Sequence, residues 1–179
     1  MKKFYINQKM ISIGDRFNVF GEDGSIVYEV KEKLFTFGKQ FRLYDNHGRA
    51  LAFIKQKLFR LLPLYEIHVN DKLVATVKGR FTFLVKKYDV ISEYGNFTVE
   101  GDILAWNFRI LKDGDVVCTV SKNFNIFRDK YEIAIADGFD EILLLCLVII
   151  FDAVYHDHRL RRRPRRMPLP GHHLRRRIS

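Results

Sequence analysis

The sequence has few cysteines and few prolines, and both shortages narrow the choice of fold. Its two cysteines, Cys118 and Cys146, lie 28 residues apart and belong to no Cys-x-x-Cys or Cys/His spacing, which argues against a disulfide framework or a zinc site. We interpret both as buried, reduced thiols that pack as small apolar side chains. Of the four prolines, only Pro63 precedes residue 164. This distribution suits a strand-rich body, because proline cannot donate a hydrogen bond to a β-ladder.

Signals for export and for catalysis are also missing. No apolar run follows Lys2 and Lys3, so no secretory signal is predicted and we expect a cytoplasmic protein. The chain has no Gly-x-Gly-x-x-Gly, Gly-x-Ser-x-Gly or His-Glu-x-x-His motif, and the residues around Gly38 and Lys39 do not form a Walker motif. We therefore predict a protein that is not an enzyme, with no catalytic residue and no cofactor.

Acidic residues are absent from the last part of the chain. The protein carries 31 Lys and Arg against 21 Asp and Glu, but no acid follows Asp157 and nine Arg lie between Arg159 and Ser179. The other 22 basic residues nearly balance the acids, so the net charge of +10 comes almost entirely from the tail. We predict one folded domain over residues 1–158 and a disordered, Arg-rich tail over residues 159–179.

Short β-type segments recur through the body, separated by turn residues such as Asp23-Gly24 and Asp113-Gly114. Alternation of apolar and polar residues, as in Tyr65-Glu66-Ile67-His68-Val69, is typical of antiparallel strands with one buried face. About twelve such strands predict an all-β sandwich or barrel. They begin near Phe4, Phe17, Ile26, Phe41, Leu51, Leu64, Leu73, Val85, Phe97, Ala105, Val116 and Tyr131.

One segment near the C-terminus predicts a helix over residues 139–156. Asp140 is a candidate N-cap, and residues 142–151 are ten apolar residues without a break. A helix that is apolar on every side lies in a protein core or in a membrane. A membrane span needs about 20 apolar residues, so we predict a buried helix and no transmembrane span. The expected architecture is an antiparallel barrel of about twelve strands wrapped around this helix.

Two internal similarities predict repeated hairpins. Residues 73–90 align with residues 116–133 at an offset of 43, with six of 18 positions identical. A weaker similarity at an offset of 24 pairs Gly24 with Gly48 and the Lys-Leu-Phe sequence at residues 33–35 with that at residues 57–59. Two copies of such a unit fit within one domain and do not make a solenoid, which needs three or more.

The order of several short segments resembles the LURP-one-related family, a branch of the Tubby C-terminal-like superfamily that includes the phospholipid scramblases. These segments are FNVF (17–20), GSIVYEV (24–30), FRLYD (41–45) with Gly48, IKQK (54–57), YEI (65–67), VEGD (99–102) before Trp106, and DEILLL (140–145). The resemblance covers residues 3–157 and implies a twelve-stranded barrel around a central helix. It also implies lipid-related functions, since Tubby domains bind phosphoinositides and scramblases are associated with lipid movement and calcium. The chain lacks a Cys-rich segment for acylation, which departs from the scramblase pattern.

The tail supplies the candidate binding residues, which we predict to bind a polyanion: Arg161, Arg162, Arg163, Arg165, Arg166, Arg175, Arg176 and Arg177. Arginine clusters bind anionic membranes, including phosphoinositides, and they bind nucleic-acid phosphates nonspecifically. The leading hypothesis is a non-catalytic interaction module, cytoplasmic and peripheral to a membrane. The alternatives are a nucleic-acid- or ribosome-associated protein, a scramblase-like lipid protein, and a solubilising tail with no partner.

Two further groups of residues are candidates for metal chemistry. His156-Asp157-His158 would support a metal-dependent enzyme if other ligands joined it, whereas the simpler interpretation is a polar helix end. Asp102, Asp113 and Asp115 could bind calcium, although acids in turns usually stabilise the turn itself. We predict no bound metal.

Overall fold

Every strand of the fold pairs with its neighbours in the sequence. The computed structural model describes residues 1–7, 16–80, 87–103, 105–123 and 130–162. Within these residues, twelve antiparallel strands form a closed barrel in which β1 pairs with β12, and one helix follows. The elements are β1 Lys2–Asn7, β2 Arg16–Phe20, β3 Ile26–Glu32, β4 Gln40–Asp45, β5 Ala50–Lys57, β6 Leu64–Val69, β7 Lys72–Arg80, β8 Lys87–Ser92, β9 Gly95–Asp102, β10 Asn107–Lys112, β11 Asp115–Asn123, β12 Lys130–Ile135 and α1 Glu141–Arg162.

The barrel confirms the predicted fold class. Each of the twelve strands begins within two residues of its expected start. The alternating pattern also holds: in β6, Tyr65 and Ile67 are buried, while Glu66 and His68 lie on the outer face with His68 Nε2 3.4 Å from Glu66 Oε2. The period of two in these short segments therefore identified the barrel's inner face correctly.

Helix α1 begins and ends somewhat later than expected. Asp140 is its N-cap, because its Oδ1 accepts a hydrogen bond from the backbone amide of Leu143 at 3.0 Å. The helix starts two residues after position 139 and continues six residues beyond position 156, to Arg162. Arginine is a good helix former.

The helix occupies the interior that the barrel encloses. All side chains from Leu143 to Val154 are buried, so no face of this segment reaches solvent. Phe151 illustrates the enclosure, since its ring lies 5.4 Å from that of Tyr88 on β8 and 5.7 Å from that of Phe108 on β10. A small barrel normally fills its interior with its own side chains. Here the helix supplies much of that filling, which explains why it is apolar all round.

The barrel has two unlike ends because its strands alternate in direction. One end, which we call the turn end, carries the short β2–β3, β4–β5, β6–β7, β8–β9 and β10–β11 turns and the start of α1. The opposite end, which we call the loop end, carries the longer β3–β4 and β5–β6 connections, at residues 33–39 and 58–63. The helix therefore runs through the barrel from the turn end to the loop end.

The strand boundaries follow both internal similarities. β7 and β11 begin at residues 72 and 115, and β8 and β12 begin at residues 87 and 130, so both pairs keep the offset of 43. β3 and β5 begin at residues 26 and 50, and β4 and β6 at residues 40 and 64, which keeps the offset of 24. Each similarity thus corresponds to a pair of hairpins, and the Lys-Leu-Phe sequences occupy equivalent places in two neighbouring hairpins.

Gly101 provides a test of how closely adjacent strands approach. It pairs with Phe108, has φ of 105°, and a Cβ placed on it would lie 2.6 Å from the carbonyl oxygen of Asn107. Gly114 has φ of 93° but nothing within 4 Å of such a Cβ. We expect G114A to lower the free energy of unfolding by about 1 kcal/mol, from backbone strain alone. G101A should cost about 3 kcal/mol or more, because strain and steric overlap act together. Urea unfolding of both variants measures the difference, and equal losses would contradict the close approach.

Candidate functional site

The predicted Arg-rich segment starts where the helix leaves the barrel. Lys39, in the β3–β4 connection, donates a hydrogen bond from Nζ to the carbonyl oxygen of Ala153 at 3.1 Å, so the last buried turn of α1 lies at the loop end. Arg161 and Arg162 are the final residues of the helix. The other predicted residues lie outside the part of the chain that the structure describes: Arg163, Arg165, Arg166, Arg175, Arg176 and Arg177. Polyanion binding by these arginines stays a prediction.

Two copies of one loop lie beside each other at this end. We call them the Lys-Leu-Phe loops, residues 33–39 and 57–63. Phe35 has φ of 57° and Phe59 has φ of 60°, and both side chains are fully exposed, with relative accessibilities of 104% and 101%. A positive φ is rare for a bulky residue, so the same unusual conformation in both copies is a shared structural feature. In both loops it places a phenylalanine in solvent.

Hydrogen bonds hold the end of the first loop to β5, the strand that leads into the second loop. The amide of Gln56 donates to the carbonyl oxygen of Lys39 at 2.8 Å, and Gln56 Oε1 accepts from the Lys39 amide at 2.9 Å. Within the first loop, Thr36 Oγ1 donates to the carbonyl oxygen of Gly38 at 2.7 Å. The second loop is tied to β7, because the Gly79 amide donates to the carbonyl oxygen of Pro63 at 2.9 Å. The exposed phenylalanines are therefore carried on braced backbone.

The apolar surface at the loop end extends beyond these two rings. Phe37 and Leu61 are also almost fully exposed, and Leu34 and Leu58 are partly so. A groove of about 510 Å³ lies along the second loop, lined by Phe59, Arg60, Leu61, Leu62, Leu64 and Lys78. Single exposed apolar residues are ordinary on soluble proteins, but a contiguous patch of them marks an interaction site.

Basic residues surround this apolar surface. Lys33, Arg60 and Lys78 are exposed, and within the described residues none of the three forms an ion pair. Lys57 is neutralised locally, since its Nζ lies 3.1 Å from Glu66 Oε1. The turn end has the opposite character. Exposed acids lie in its turns at Glu22, Asp23, Asp71, Asp113, Asp115 and Asp140, and two more, Glu93 and Asp137, pair with Lys72 and with the N-terminal amine. The barrel is therefore electrostatically polar along its axis.

A carboxylate is buried just inside the loop end. Asp152 is 3% exposed, one residue before the Ala153 carbonyl that Lys39 contacts. Burial raises the pKa of Asp152 to about 7, and the positive charge of Lys39 opposes part of that shift. Asp152 is the one polar side chain in the buried segment from Leu143 to Val154.

The two remaining groups of predicted metal ligands differ in how much of them the structure describes. His156, Asp157 and His158 lie in the last turns of α1, and their side chains are outside the described part of the structure. Asp102 ends β9 at the loop end, where its Oδ1 accepts from the Ala105 amide, whereas Asp113 and Asp115 lie at the turn end. The six residues of β10 separate the two positions, about 20 Å along the strand. Among the described residues, no group of three metal-ligating side chains is close enough to share an ion.

The two cysteines occupy the packed interior, as predicted. Cys118 and Cys146 are both free and buried. Burial raises the pKa of the Cys118 thiol to about 12 and raises that of Cys146 as well. The reactive thiolate is therefore disfavoured at both positions.

The exposed loop surface was not identified from the sequence, although a signal for it was present. The offset of 24 aligned Lys33-Leu34-Phe35 with Lys57-Leu58-Phe59. In a sequence of this composition such apolar residues are expected in a core, so only the fold shows that both phenylalanines face solvent.

The described part of the chain contains no helix of sufficient length and apolarity to cross a membrane.

Comparisons with known proteins agree with the fold. The family model described as LURP-one-related matches residues 2–152. The uncharacterized protein YxjI of Bacillus subtilis (strain 168) is 31% identical over 157 residues, which cover 88% of this chain and 96% of that protein. An X-ray structure of a protein from Arabidopsis thaliana superposes with a TM-score of 0.62 at 16% identity, covering 86% of this chain and 91% of that chain. At that identity the structural likeness establishes the fold alone.

The buried Asp152 predicts a pH-dependent stability. The folded state holds the proton up to about pH 7, whereas the unfolded chain releases it near pH 3.9. Between these values the unfolded state binds fewer protons, so the free energy of unfolding should fall as pH rises, by up to about 1.4 kcal/mol per pH unit. D152N should remove this contribution and gain stability relative to the wild type between about pH 4 and 7.

Thermal unfolding midpoints across that pH range measure the effect. D115N, at an exposed turn position, is the matched control and should follow the wild-type profile. Parallel profiles for the wild type and D152N would show that Asp152 does not titrate in this range.

Proposed function

The chain belongs to the LURP-one-related family, and we propose that its Tubby-like barrel is a non-catalytic binding module that associates with anionic lipid headgroups. In this proposal residues 1–158 are the folded unit, and residues 159–179 are the segment that first contacts the lipid. The protein acts in the cytoplasm at a membrane surface and does not span the bilayer. Phosphoinositides are one headgroup class that this arrangement suits.

The observation that carries the proposal is the convergence of three features at the loop end. Helix α1 ends there and leads into the Arg-rich segment. The basic residues Lys33, Arg60 and Lys78 and the exposed apolar loops lie at the same end. Each basic residue near an anionic leaflet contributes about 1 kcal/mol, so the nine arginines after residue 158 are sufficient for adsorption without a specific pocket.

The charge distribution also supports one orientation. With exposed acids at the turn end and basic residues at the loop end, the barrel approaches a negative surface with its loop end first. Repulsion of the acidic turns disfavours the reverse orientation. The exposed apolar loops would then face the lipid.

Nucleic acid is a second polyanion that the arginines could contact. The tail contains no aromatic residue that could stack on bases. The loop surface does contain phenylalanines, but they are interspersed with Leu34, Leu58 and Leu61, which do not provide stacking faces. A mixture of leucine and phenylalanine beside basic residues is typical of surfaces that contact membranes.

The test is sedimentation with vesicles of phosphatidylcholine alone and of phosphatidylcholine mixed with phosphatidylserine. We expect the full chain to pellet with the anionic vesicles and not with the neutral ones, and high salt should release it. In the matched variant, eight arginines are replaced by Gln, which preserves length while removing charge: Arg161, Arg162, Arg163, Arg165, Arg166, Arg175, Arg176 and Arg177. This variant should lose most of the binding.

RNA added as a competitor separates the two polyanions. Binding to anionic vesicles that persists in excess RNA supports the lipid assignment. Failure to pellet, or complete transfer to RNA, would contradict it.

A further inference from the structure

We infer that the two Lys-Leu-Phe loops insert together into the membrane that the arginines attract. Phe35 and Phe59 then enter the apolar layer of the bilayer. This inference rests on the proposed lipid association and extends it from adsorption at the headgroups to penetration below them. It assigns a role to Phe35 and Phe59, the most exposed apolar residues of the described structure. Neither the packing of the barrel nor the charge of the tail explains why these side chains are exposed.

The backbone of both loops is the first support. Phe35 and Phe59 have nearly the same positive φ, 57° and 60°, in loops that occupy equivalent positions in two hairpins. A left-handed conformation is unfavourable for phenylalanine, and so is full exposure of its ring to water. The strained backbone and the exposed ring both occur twice at one end of the barrel. This repetition indicates a surface that is covered by a binding partner when the protein functions.

The geometry suits joint insertion. β3, β4, β5 and β6 are consecutive in the barrel wall, so the two loops lie about two strand spacings apart, roughly 10 Å. The hydrogen bonds between Gln56 and Lys39 hold the first loop to β5, whose end leads directly into the second loop. Because the loops are braced before binding, little conformational freedom is lost when both rings enter the lipid.

Basic side chains beside the rings match the adjacent headgroup layer. Lys33 precedes Leu34 and Phe35, and Arg60 follows Phe59 directly, so each exposed ring has a flexible cation close to it in sequence. Long basic side chains can place their aliphatic stems along apolar groups while the charge remains among polar headgroups. Exposed apolar rings flanked by basic side chains are complementary to an anionic bilayer surface.

The same charges argue against the other possible occupants of this surface. The tail over residues 159–179 is Arg-rich and would be repelled by Lys33, Arg60 and Lys78. A second copy of the chain meeting loop end to loop end would bring two basic surfaces and two basic tails together. An anionic lipid surface offers both an apolar layer and negative charge.

A fluorescent label placed at each tip tests insertion directly in the full chain. F35C and F59C would each be labelled through the new thiol with a polarity-sensitive fluorophore, since Cys118 and Cys146 are buried and should not react. I91C is the matched control, because Ile91 is a 62% exposed apolar residue on β8, outside the loop end. With phosphatidylcholine–phosphatidylserine vesicles we expect a blue shift for the labels at positions 35 and 59, and quenching of both by spin-labelled acyl chains. The label at position 91 should show neither effect.

Partitioning of unlabelled variants measures the energetic part of the inference. F35A/F59A should bind the same vesicles about tenfold or more weakly than the wild type, whereas I91A should not differ from it. Circular dichroism of each variant checks that the barrel is retained, which is expected because the replaced side chains are exposed.

The outcomes separate this inference from the proposed function. Pelleting with no blue shift at positions 35 and 59 would leave electrostatic adsorption in place and overturn insertion. Absence of pelleting for the wild type would reject lipid association and insertion together. A change of F35A/F59A from dimer to monomer without any vesicle binding would assign the loops to a protein interface and would likewise overturn the inference.

Discussion

Burial of helix α1 inside the barrel is the constraint on which the rest of the structure depends. The helix has no polar face between Leu143 and Val154, so it needs apolar contacts in every direction, and a closed barrel supplies them. The barrel in turn has too wide an interior to be filled by its own side chains alone. Phe151, which contacts Tyr88 and Phe108 on separate strands, shows how the helix joins parts of the wall that are distant in sequence. Helix and barrel are therefore stable only together.

The same burial fixes the polarity of the molecule. Because the helix starts beside β12 at the turn end, its length brings its C-terminal part to the loop end, where Lys39 contacts Ala153. The helix that leads into the Arg-rich segment therefore reaches the end of the barrel that carries the Lys-Leu-Phe loops. Asp152 lies at this exit, and burial raises its pKa to about 7 in a segment, Leu143 to Val154, that is otherwise apolar. The basic and apolar features at the loop end are thus neighbours as a consequence of how the core is built.

Much of the fold could be predicted from the sequence because its signals are local. Period-two alternation and turn residues located all twelve strands, and an unbroken apolar segment after Asp140 located the helix. The end of α1 was placed too early because polarity at His156 was taken as a stop, whereas helix propensity continues to Arg162. Phe35 and Phe59 could not be assigned to the surface, since composition favours burial of phenylalanine. Both residues have a positive φ in the loops that carry them, which residue type does not reveal.

Electrostatic and apolar contacts act over different ranges, and the loop end contains both. Charge attraction operates over about a Debye length, roughly 8–10 Å at physiological salt, so under the proposed function the arginines would attract and orient the protein before the barrel touches a surface. Apolar burial acts only on contact, and it is insensitive to the screening that weakens charge attraction. A chain that bound through the arginines alone would adsorb reversibly and in no fixed orientation. Under the proposed function, two apolar loops with their ends hydrogen-bonded to neighbouring strands, the first through Lys39 and Gln56 and the second through Pro63 and Gly79, would convert adsorption into one defined orientation. A basic segment and two apolar loops at the same end would therefore give both long-range attraction and a fixed orientation, whereas either feature alone would give only one of the two.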